Sequence, residues 1–226
     1  MVKIYLDTAN ISEMANSKVD GFTTNPSLMR AAGVTDYLPW AKEICSTYPT
    51  HEVSFEVIAD DFAEMERQAR VLAALGENVY VKIPVTNTKG ESSCDLIKKL
   101  SVDGVKLNVT ALFTRTQIRR VINAIKWKTP AIISVFAGRI GDTGVDPRIN
   151  VRYAVKNAHK SGLRVLWAST RQALDVKFAE EAGADIITVG PEIYRRLKSY
   201  GKDLDQFSLE TVCQFRDDAM DAGYVL

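Results

Sequence analysis

Short β-rich apolar runs that alternate with segments of helical periodicity constrain the fold of this chain more than any other feature. Eight such runs lie at Lys3–Asp7, Gly21–Thr24, Val53–Val57, Val79–Ile83, Val105–Val109, Ala131–Phe136, Arg164–Ala168 and Asp185–Val189. Eight repeats of strand then helix in 226 residues predict an α/β fold, a (β/α)₈ TIM barrel, which typically has about 250 residues.

The segments between the runs carry helix signals. Apolar residues recur at helical spacing at Phe62, Met65, Ala69 and Leu72, and again at Ile118, Val121, Ile122 and Ile125. Helix starts are expected next to Asp60, at Thr114 or Thr116, and after Thr170. Glycines at 76, 104, 162 and 183 are placed to end helices before the next strand.

The whole chain is predicted to form one domain, residues 1–226. A helical stripe over Leu209–Asp221 follows the eighth repeat, so residues 208–226 are predicted to form an extra C-terminal helix and tail. A dinucleotide-binding fold is disfavoured, because no G-x-G-x-x-G follows the first strand and no G-x-x-x-x-G-K-[ST] occurs.

Composition excludes several functional classes. Lys and Arg total 29 against 28 for Asp and Glu, so the net charge of +1 does not favour nucleic acid or a membrane as partner. No apolar run approaches the roughly 20 residues of a membrane span, and the N-terminus lacks a signal-peptide pattern, so we expect a cytoplasmic protein. Three scattered cysteines and two histidines favour neither a disulfide framework nor a metal site, and we expect no cofactor.

Polar residues end seven of the predicted strands. In a barrel of this kind the active site is built where the strands end, so these residues are the candidates for function. They are Asp7, Asn25, Glu56, Lys82, Asn108, Thr110, Ser134, Arg139, Ser169 and Arg171.

Lys82 is the most informative of them. In Val79–Pro84 the period of two places Lys82 on the face opposite Val79, Val81 and Ile83, and one of those faces points into the barrel. Poor solvation there disfavours the charged ammonium and favours a free amine that can attack a carbonyl. The protonated imine is an electron sink that lets a ketose C3–C4 bond break without a metal. The alternative is a lysine that reaches from a strand end to water.

Two carboxylates and two arginines complete the hypothesis. Asp7 and Glu56 can provide acid/base chemistry in different environments, or else one of them forms only a structural ion pair with Lys82. Arg139 and Arg171 follow the sixth and seventh strands, near the usual phosphate site of such barrels, and suggest a phosphorylated substrate. A surface ion pair is the alternative for each arginine.

Five motifs, in order, resemble those of the transaldolase family over nearly the whole chain. They are Tyr5-Leu6-Asp7-Thr8-Ala9, Thr23-Thr24-Asn25-Pro26-Ser27, Val81-Lys82-Ile83-Pro84, Asn108-Val109-Thr110 and Gly138-Arg139-Ile140. The length resembles that of the small subfamily, which includes fructose 6-phosphate aldolases. The resemblance implies transfer of a dihydroxyacetone unit from sedoheptulose 7-phosphate or fructose 6-phosphate to glyceraldehyde 3-phosphate or erythrose 4-phosphate, in the pentose phosphate pathway.

The resemblance also implies a role for each candidate residue. Lys82 would form the Schiff base, Asp7 would be the acid/base for C–C cleavage, and Glu56 with Thr110 would hold the catalytic water. The substrate-binding set would be Asn25, Asn108, Ser134, Phe136, Arg139, Ser169 and Arg171, of which Arg139, Ser169 and Arg171 would hold the phosphate. Relatives exchange the C-terminal helix between subunits, so a homo-oligomer, a pentamer or decamer, is implied.

Three other readings remain open. Aldolases that release free dihydroxyacetone typically carry Gln and Tyr where this chain has Glu56 and Phe136, so a fructose 6-phosphate aldolase is the alternative. The family usually has Ser-Pro-Phe where this chain has Ser134-Val135-Phe136, and such departures also permit a sugar-phosphate-binding protein without turnover. A pyridoxal phosphate enzyme also uses a lysine Schiff base, but no motif for that cofactor can be identified.

Overall fold

A closed barrel of eight parallel strands forms the centre of the fold, in a computed structural model that describes residues 1–225. The strands are β1 (Lys3–Asp7), β2 (Gly21–Thr23), β3 (Glu52–Glu56), β4 (Val79–Pro84), β5 (Leu107–Leu112), β6 (Ala131–Val135), β7 (Arg164–Trp167) and β8 (Ile186–Val189). Each strand pairs with the next along the chain, and β8 closes the barrel on β1. The prediction of a (β/α)₈ barrel with an additional C-terminal helix is confirmed.

Helices connect the strands. They are α1 (Ile11–Ala15), α2 (Pro26–Ala31), α3 (Tyr37–Thr47), α4 (Phe62–Ala73), α5 (Cys94–Val102), α6 (Arg115–Ala124), α7 (Ala137–Gly141), α8 (Arg148–Ala158), α9 (Asp175–Ala182), α10 (Pro191–Arg196) and α11 (Leu204–Asp221), with 3₁₀ turns at His159–Ser161 and Leu197–Ser199. The predicted apolar faces are inside, since Met65, Ala69 and Leu72 of α4 are buried.

Several helix starts differ from the prediction because other side chains satisfy the local backbone. The cap of α4 is Asp61, whose carboxylate accepts from two backbone N–H groups, whereas Asp60 accepts from Thr88. Thr114 caps α6 with a full capping box, as one of its two predicted starts. The helix predicted to follow Thr170 begins only at Asp175, whose carboxylate accepts from the backbone N–H of Arg171.

The fifth strand is shifted toward its carboxyl end relative to the prediction of Val105–Val109. It runs from Leu107 to Leu112, and its register against β6 shifts between Val109 and Leu112. Ala111 lies in this irregularity with a φ of 58°, a left-handed conformation uncommon for a residue other than glycine. A bulge of this kind cannot be seen in a period-of-two pattern, which explains the wrong boundary.

The N-terminal ends of the strands are closed by large side chains. Tyr5, Tyr80, Ile132, Leu166 and Ile186 belong to one buried cluster in the barrel. Gly21 is required beside it, because a Cβ at that position would lie 2.6 Å from the Glu52 carbonyl oxygen and 2.9 Å from the Tyr5 ring. The interior of the barrel is therefore filled by side chains toward this end.

The chain divides into two compact units. The first, Met1–Tyr194, contains the barrel; the second begins at Arg195 and contains α11. That helix starts at Leu204, earlier than the predicted Leu209, because the Asp203 carboxylate accepts from the backbone N–H of Gln206. The prediction of one domain over residues 1–226 stays a prediction, and residue 226 lies outside the described residues. Within residues 1–225, no helix combines the length and the apolarity that crossing a membrane requires.

Candidate active site

The carboxyl ends of the strands surround a cavity of about 720 Å³. Every residue proposed from the sequence for catalysis or substrate binding lines it: Asp7, Asn25, Glu56, Lys82, Asn108, Thr110, Ser134, Phe136, Arg139, Ser169 and Arg171. Because all eight strands are parallel, their carboxyl ends meet at one end of the barrel, and residues far apart in sequence come together there.

Lys82 lies inside the barrel rather than reaching to water. Lys82 is only 7% exposed, and its Nζ atom donates a 2.6 Å hydrogen bond to the carbonyl oxygen of Thr24. The same atom lies 3.0 Å from Oε2 of Glu56 on the neighbouring strand, where the register pairs the two residues directly. The alternative of a solvated strand-end lysine is wrong, whereas the ion pair with a neighbouring carboxylate is present.

Asp7, at the end of β1, is held in a poorly solvated environment. Burial raises the pKa of its carboxyl group, and the negative charge of Glu56 adds to that effect. The positive charge of Lys82 and a hydrogen bond from Thr23 oppose it without cancelling it. A carboxylate whose ionised form is disfavoured is a stronger base than an exposed one, so Asp7 is suited to taking up a proton.

Glu56 is fixed from two sides. Its carboxylate faces Lys82, and its backbone carbonyl oxygen accepts a 2.8 Å hydrogen bond from the hydroxyl of Tyr37 on α3. Burial raises the pKa of Tyr37, and the charge of Glu56 raises it further, so the tyrosine remains a donor. The end of β3 is thereby anchored to the surrounding helix.

A second group of polar side chains forms a hydrogen-bonded row across three strands. The Ser134 hydroxyl donates to Oδ1 of Asn108 at 2.5 Å, and Nδ2 of Asn108 donates to Oγ of Ser54 at 3.1 Å. All three residues are buried. By the donor and acceptor inventory of an amide, one N–H and one lone pair of Asn108 remain for a substrate hydroxyl.

Asn25 also has a structural role. Its side-chain oxygen accepts a 3.0 Å hydrogen bond from the backbone N–H of Leu28 and caps α2, in which Pro26 is the first residue. The amide N–H groups of Asn25 are not used by this cap, so they are available at the cavity wall.

The arginine end of the cavity contains a competing ion pair. Arg171 forms a two-point contact with Asp142, at 3.0 Å from Nε to Oδ1 and 2.6 Å from Nη2 to Oδ2. The alternative of a surface ion pair therefore holds for Arg171, although the residue also lines the cavity. The guanidinium of Arg139 lies 6.0 Å from the centre of the Phe136 ring.

The two turns that precede Arg139 and Arg171 approach each other closely. Ser169 adopts a φ of 64°, and a Cβ placed on Gly138 would lie 1.6 Å from the carbonyl oxygen of Ser169. Only glycine permits this approach, which brings the turn after β6 against the turn after β7. The turns that carry Arg139 and Arg171 are therefore in contact, and both arginines line the cavity.

Sequence reasoning missed several residues of the site. Thr23 and Thr188 line the cavity and contact one another, and Asp142 holds Arg171. Thr23 lies within a polar strand end, a signal that could have been used. Thr188 looks like an ordinary strand residue in Ile186–Val189, and Asp142 like a surface carboxylate, so only the fold identifies them.

Comparison with known proteins agrees with this geometry. Residues 4–224 match the family described as Transaldolase/Fructose-6-phosphate aldolase. A probable transaldolase of Dehalococcoides mccartyi is 35% identical over 205 residues, covering 88% of this chain and 91% of that protein. A probable transaldolase of Bdellovibrio bacteriovorus is 37% identical over 194 residues, covering 83% and 86%.

A third relative matches over a similar length. A probable transaldolase of Methanococcus maripaludis is 36% identical over 202 residues, covering 87% of this chain and 89% of its own. The family match extends over the barrel and the segment that follows it, and the three relatives cover 88%, 83% and 87% of the chain. The chain therefore belongs to the transaldolase/fructose-6-phosphate aldolase family and is an enzyme of the aldolase/transaldolase type.

Proposed function

We propose that the protein is a transaldolase that moves a dihydroxyacetone unit between sugar phosphates through a Schiff base on Lys82. The donors are sedoheptulose 7-phosphate and fructose 6-phosphate, and the acceptors are glyceraldehyde 3-phosphate and erythrose 4-phosphate. The observation that carries the proposal is the position of Lys82, which is buried at a 720 Å³ cavity with its Nζ 3.0 Å from Glu56.

The first step is attack of the Lys82 amine on the C2 carbonyl of the donor. The ammonium must lose a proton first, and Glu56 is close enough to accept it directly or through a water molecule. Glu56 returns its proton to the C2 oxygen, which leaves as water, and a protonated imine remains; Glu56 and Thr110 hold that water in the cavity. The charge of the imine replaces that of the ammonium beside the same carboxylate.

The second step is cleavage of the C3–C4 bond. Asp7 takes the proton of the C4 hydroxyl, the C4 oxygen becomes an aldehyde, and the bonding electrons move into the imine to give an enamine. The aldose phosphate leaves. An acceptor aldehyde then binds, the enamine carbon attacks it, Asp7 returns the proton to the new hydroxyl, and hydrolysis of the imine frees the product.

Asn25 and Asn108 are proposed to bind hydroxyls of the substrate, and Ser134 and Phe136 to line its dihydroxyacetone end. Arg139, Ser169 and Arg171 are proposed to hold the phosphate of the substrate. The two planar guanidinium groups suit a phosphate dianion. Arg171 must exchange its contact with Asp142 for the phosphate, and this exchange is feasible because both side chains are about half exposed, at 47% and 51%.

The fructose 6-phosphate aldolase is the competing activity. It requires that water or an acid protonate the enamine and release free dihydroxyacetone. Phe136 presents no hydroxyl as a proton donor there, and Glu56 is a carboxylate that is paired with Lys82. Both features favour retention of the enamine until an acceptor arrives, and therefore favour the transferase.

The resemblance also suggests a setting for the activity. We propose a cytoplasmic enzyme of the pentose phosphate pathway that works as a homo-oligomer, a pentamer or decamer formed by exchange of the C-terminal helix. The exposed apolar residues of α11 support an association of copies; among them Leu209, Val212 and Phe215 are 55%, 61% and 65% exposed.

Acceptor dependence tests the proposed reaction. The purified protein is given fructose 6-phosphate alone, and then together with erythrose 4-phosphate, while glyceraldehyde 3-phosphate and sedoheptulose 7-phosphate are measured. A transaldolase needs the acceptor for sustained turnover. Equal release of glyceraldehyde 3-phosphate with and without acceptor would overturn the transferase in favour of the aldolase. Absence of both reactions would leave a sugar-phosphate-binding protein.

The matched variants are Phe136→Tyr and Glu56→Gln. Each adds a feature that the resemblance associates with aldolases, so acceptor-independent release should rise in both relative to transfer. Phe113→Tyr is the control, because Phe113 packs against Phe136 at 5.8 Å between ring centres but does not line the cavity.

A further inference from the structure

Two threonine hydroxyls connect the eighth strand to Asp7. Thr23 Oγ1 lies 2.7 Å from Oδ1 of Asp7 and 2.6 Å from Oγ1 of Thr188. Both threonines are nearly fully buried, at 3% and 5% exposure. The three groups therefore form one continuous hydrogen-bonded chain from β8 through β2 to β1.

The direction of the hydrogen bonds in this chain follows from the proton on Asp7. A hydroxyl has one proton to donate, so Thr23 donates to Asp7 while the carboxylate is ionised, and accepts from Thr188. When the proton enters on Oδ2, Thr23 still donates to Oδ1; when the acid carries its proton on Oδ1 instead, Asp7 donates to Thr23, and Thr23 in turn donates to Thr188. Both arrangements use the same three positions, since hydroxyl protons rotate freely.

The charged groups that act on Asp7 come from other strands. Lys82 on β4 favours the ionised carboxylate, and Glu56 on β3 disfavours it. The adjacent strands β2 and β8 present hydroxyls instead of charges. The hydroxyl chain can therefore support either protonation state, whereas a fixed cation in its place would favour the ionised one only.

We propose that Thr23 and Thr188 are positioning residues that hold Asp7 in one orientation before and after it takes up the substrate proton. The inference rests on the proposed function, in which Asp7 accepts the C4 hydroxyl proton and later returns it. Fixing Oδ1 through Thr23 leaves Oδ2 as the atom that exchanges the proton with substrate. Thr188 acts through Thr23 and touches neither Asp7 nor the reacting atoms.

The test compares pH profiles of kcat/KM for the parent, Thr23→Val, Thr188→Val and Thr23→Ser in the acceptor-dependent assay. Valine keeps the shape of threonine and removes the hydroxyl. Because the hydrogen bond favours the ionised carboxylate, its loss raises the pKa of Asp7 further. The acid limb should move up by about one pH unit in Thr23→Val, a loss of roughly tenfold below the limb.

The other two variants separate positioning from folding. Thr188→Val should shift the limb by less, with a loss of about two- to fivefold, because Thr23 can still donate to Asp7. Thr23→Ser keeps the hydroxyl and should restore the parent profile even where the lost methyl group lowers stability. The control is Thr129→Val, which removes another buried hydroxyl, one that donates to the Ser101 carbonyl oxygen, and should leave the profile unchanged.

The outcomes distinguish this inference from the reaction itself. If the parent turns over and the profiles of Thr23→Val and Thr188→Val coincide with it, the positioning role is wrong and the proposed function stands. If Thr23→Val does not fold, Thr188→Val decides alone, and an unshifted limb there overturns the proposal. If the parent forms no product with or without acceptor, the proposed function fails first.

Discussion

The two ends of the barrel use charge in opposite ways. At the N-terminal end, Arg164 makes a two-point contact with Glu52, at 2.8 and 3.1 Å, and Tyr5 donates to the same carboxylate. The guanidinium also lies 5.1 Å from the centre of the Tyr80 ring. This N-terminal network, Tyr5, Glu52, Tyr80 and Arg164, pairs one cation with one anion and closes the barrel.

At the carboxyl end, two carboxylates share one ammonium. Lys82 pairs with Glu56 at 3.0 Å, while Asp7 accepts from the neutral hydroxyl of Thr23. The pKa of Glu52 is lowered and that of Asp7 is raised, although burial by itself raises both. Charges matched by partners stabilise the fold, and charges left incompletely matched are available for chemistry.

The largest effect is expected from Lys82→Met. Removal of the nucleophile should lower kcat by at least about 10³-fold, because no imine can form. The fold should persist, since methionine fills a similar volume in the barrel. Lys106→Met is the matched control: Lys106 lies next to the start of β5 and pairs with Glu77 at 3.6 Å. Turnover that survives in Lys82→Met would show that another group is the nucleophile.

Asp7→Asn should separate activity from stability. Loss of the proton acceptor should lower kcat by about 10²- to 10⁴-fold. A raised carboxyl pKa means that the group contributes stability below its ordinary value of 3.8, and that this contribution is lost as pH rises through the raised value. Between pH 4 and pH 8, the melting temperature of Asp7→Asn should therefore rise relative to that of the parent. A parent that becomes the more stable of the two as pH rises would contradict the described electrostatics.

Arg164→Met should lower the stability of the fold and leave the catalytic rate unchanged. The side chains of Arg164 and Glu52 are 26% and 28% exposed. The free energy of unfolding should therefore fall by about 2 kcal/mol, which is below the range for fully buried pairs. The kcat per folded molecule should be unchanged. Arg67→Met is the control, because its pair with Glu64 is 66% and 42% exposed and worth about 0.5 kcal/mol or less.

The same network predicts an acid dependence of stability. Burial alone would raise the pKa of Glu52, and the hydrogen bonds from Arg164 and Tyr5 reverse this and lower it. A lowered carboxyl pKa contributes stability that is present above the ordinary value of 4.5 and is lost as pH falls through the lower one. Denaturant unfolding should show the difference between parent and Arg164→Met shrinking below about pH 4. A constant difference would exclude this network as its source.

The smallest effect is expected from Asp142→Asn. The amide no longer competes with a phosphate for Arg171, so KM for a phosphorylated ketose should fall by about two- to threefold with kcat unchanged. Asp146→Asn is the control, since Asp146 pairs with Arg148, which does not line the cavity. A rise in KM instead would mean that Asp142 orients Arg171 for binding.

Much of this arrangement could be predicted from the sequence because the barrel repeats a simple pattern. The alternation around Lys82 placed its side chain on the face opposite Val79, Val81 and Ile83 but left open which face is interior. The strand ends selected most of the polar residues that were proposed for the cavity wall. The pattern did not predict features that depend on local backbone geometry or on which of two neighbouring side chains caps a helix. The bulge at Ala111 and the cap at Asp61 in place of Asp60 are such cases.

The missed residues depend on contacts between distant parts of the chain. Thr188 meets Thr23 across 165 positions of sequence, and Asp142 meets Arg171 across 29. No local periodicity distinguishes a threonine that faces a catalytic carboxylate from one that packs in a strand. The strand register and the turns after β6 and β7 create these contacts, so the fold must be known before they can be found.

The Schiff base on Lys82 is the central claim, and borohydride trapping tests it most directly. The protein is reduced in the presence of fructose 6-phosphate, its intact mass is measured, and the modified peptide is mapped, with Lys82→Met and Lys106→Met treated in parallel. We predict one reduced imine per chain on Lys82 in the parent and in Lys106→Met, and none in Lys82→Met. An adduct on another lysine, or none with any ketose phosphate, would contradict the account.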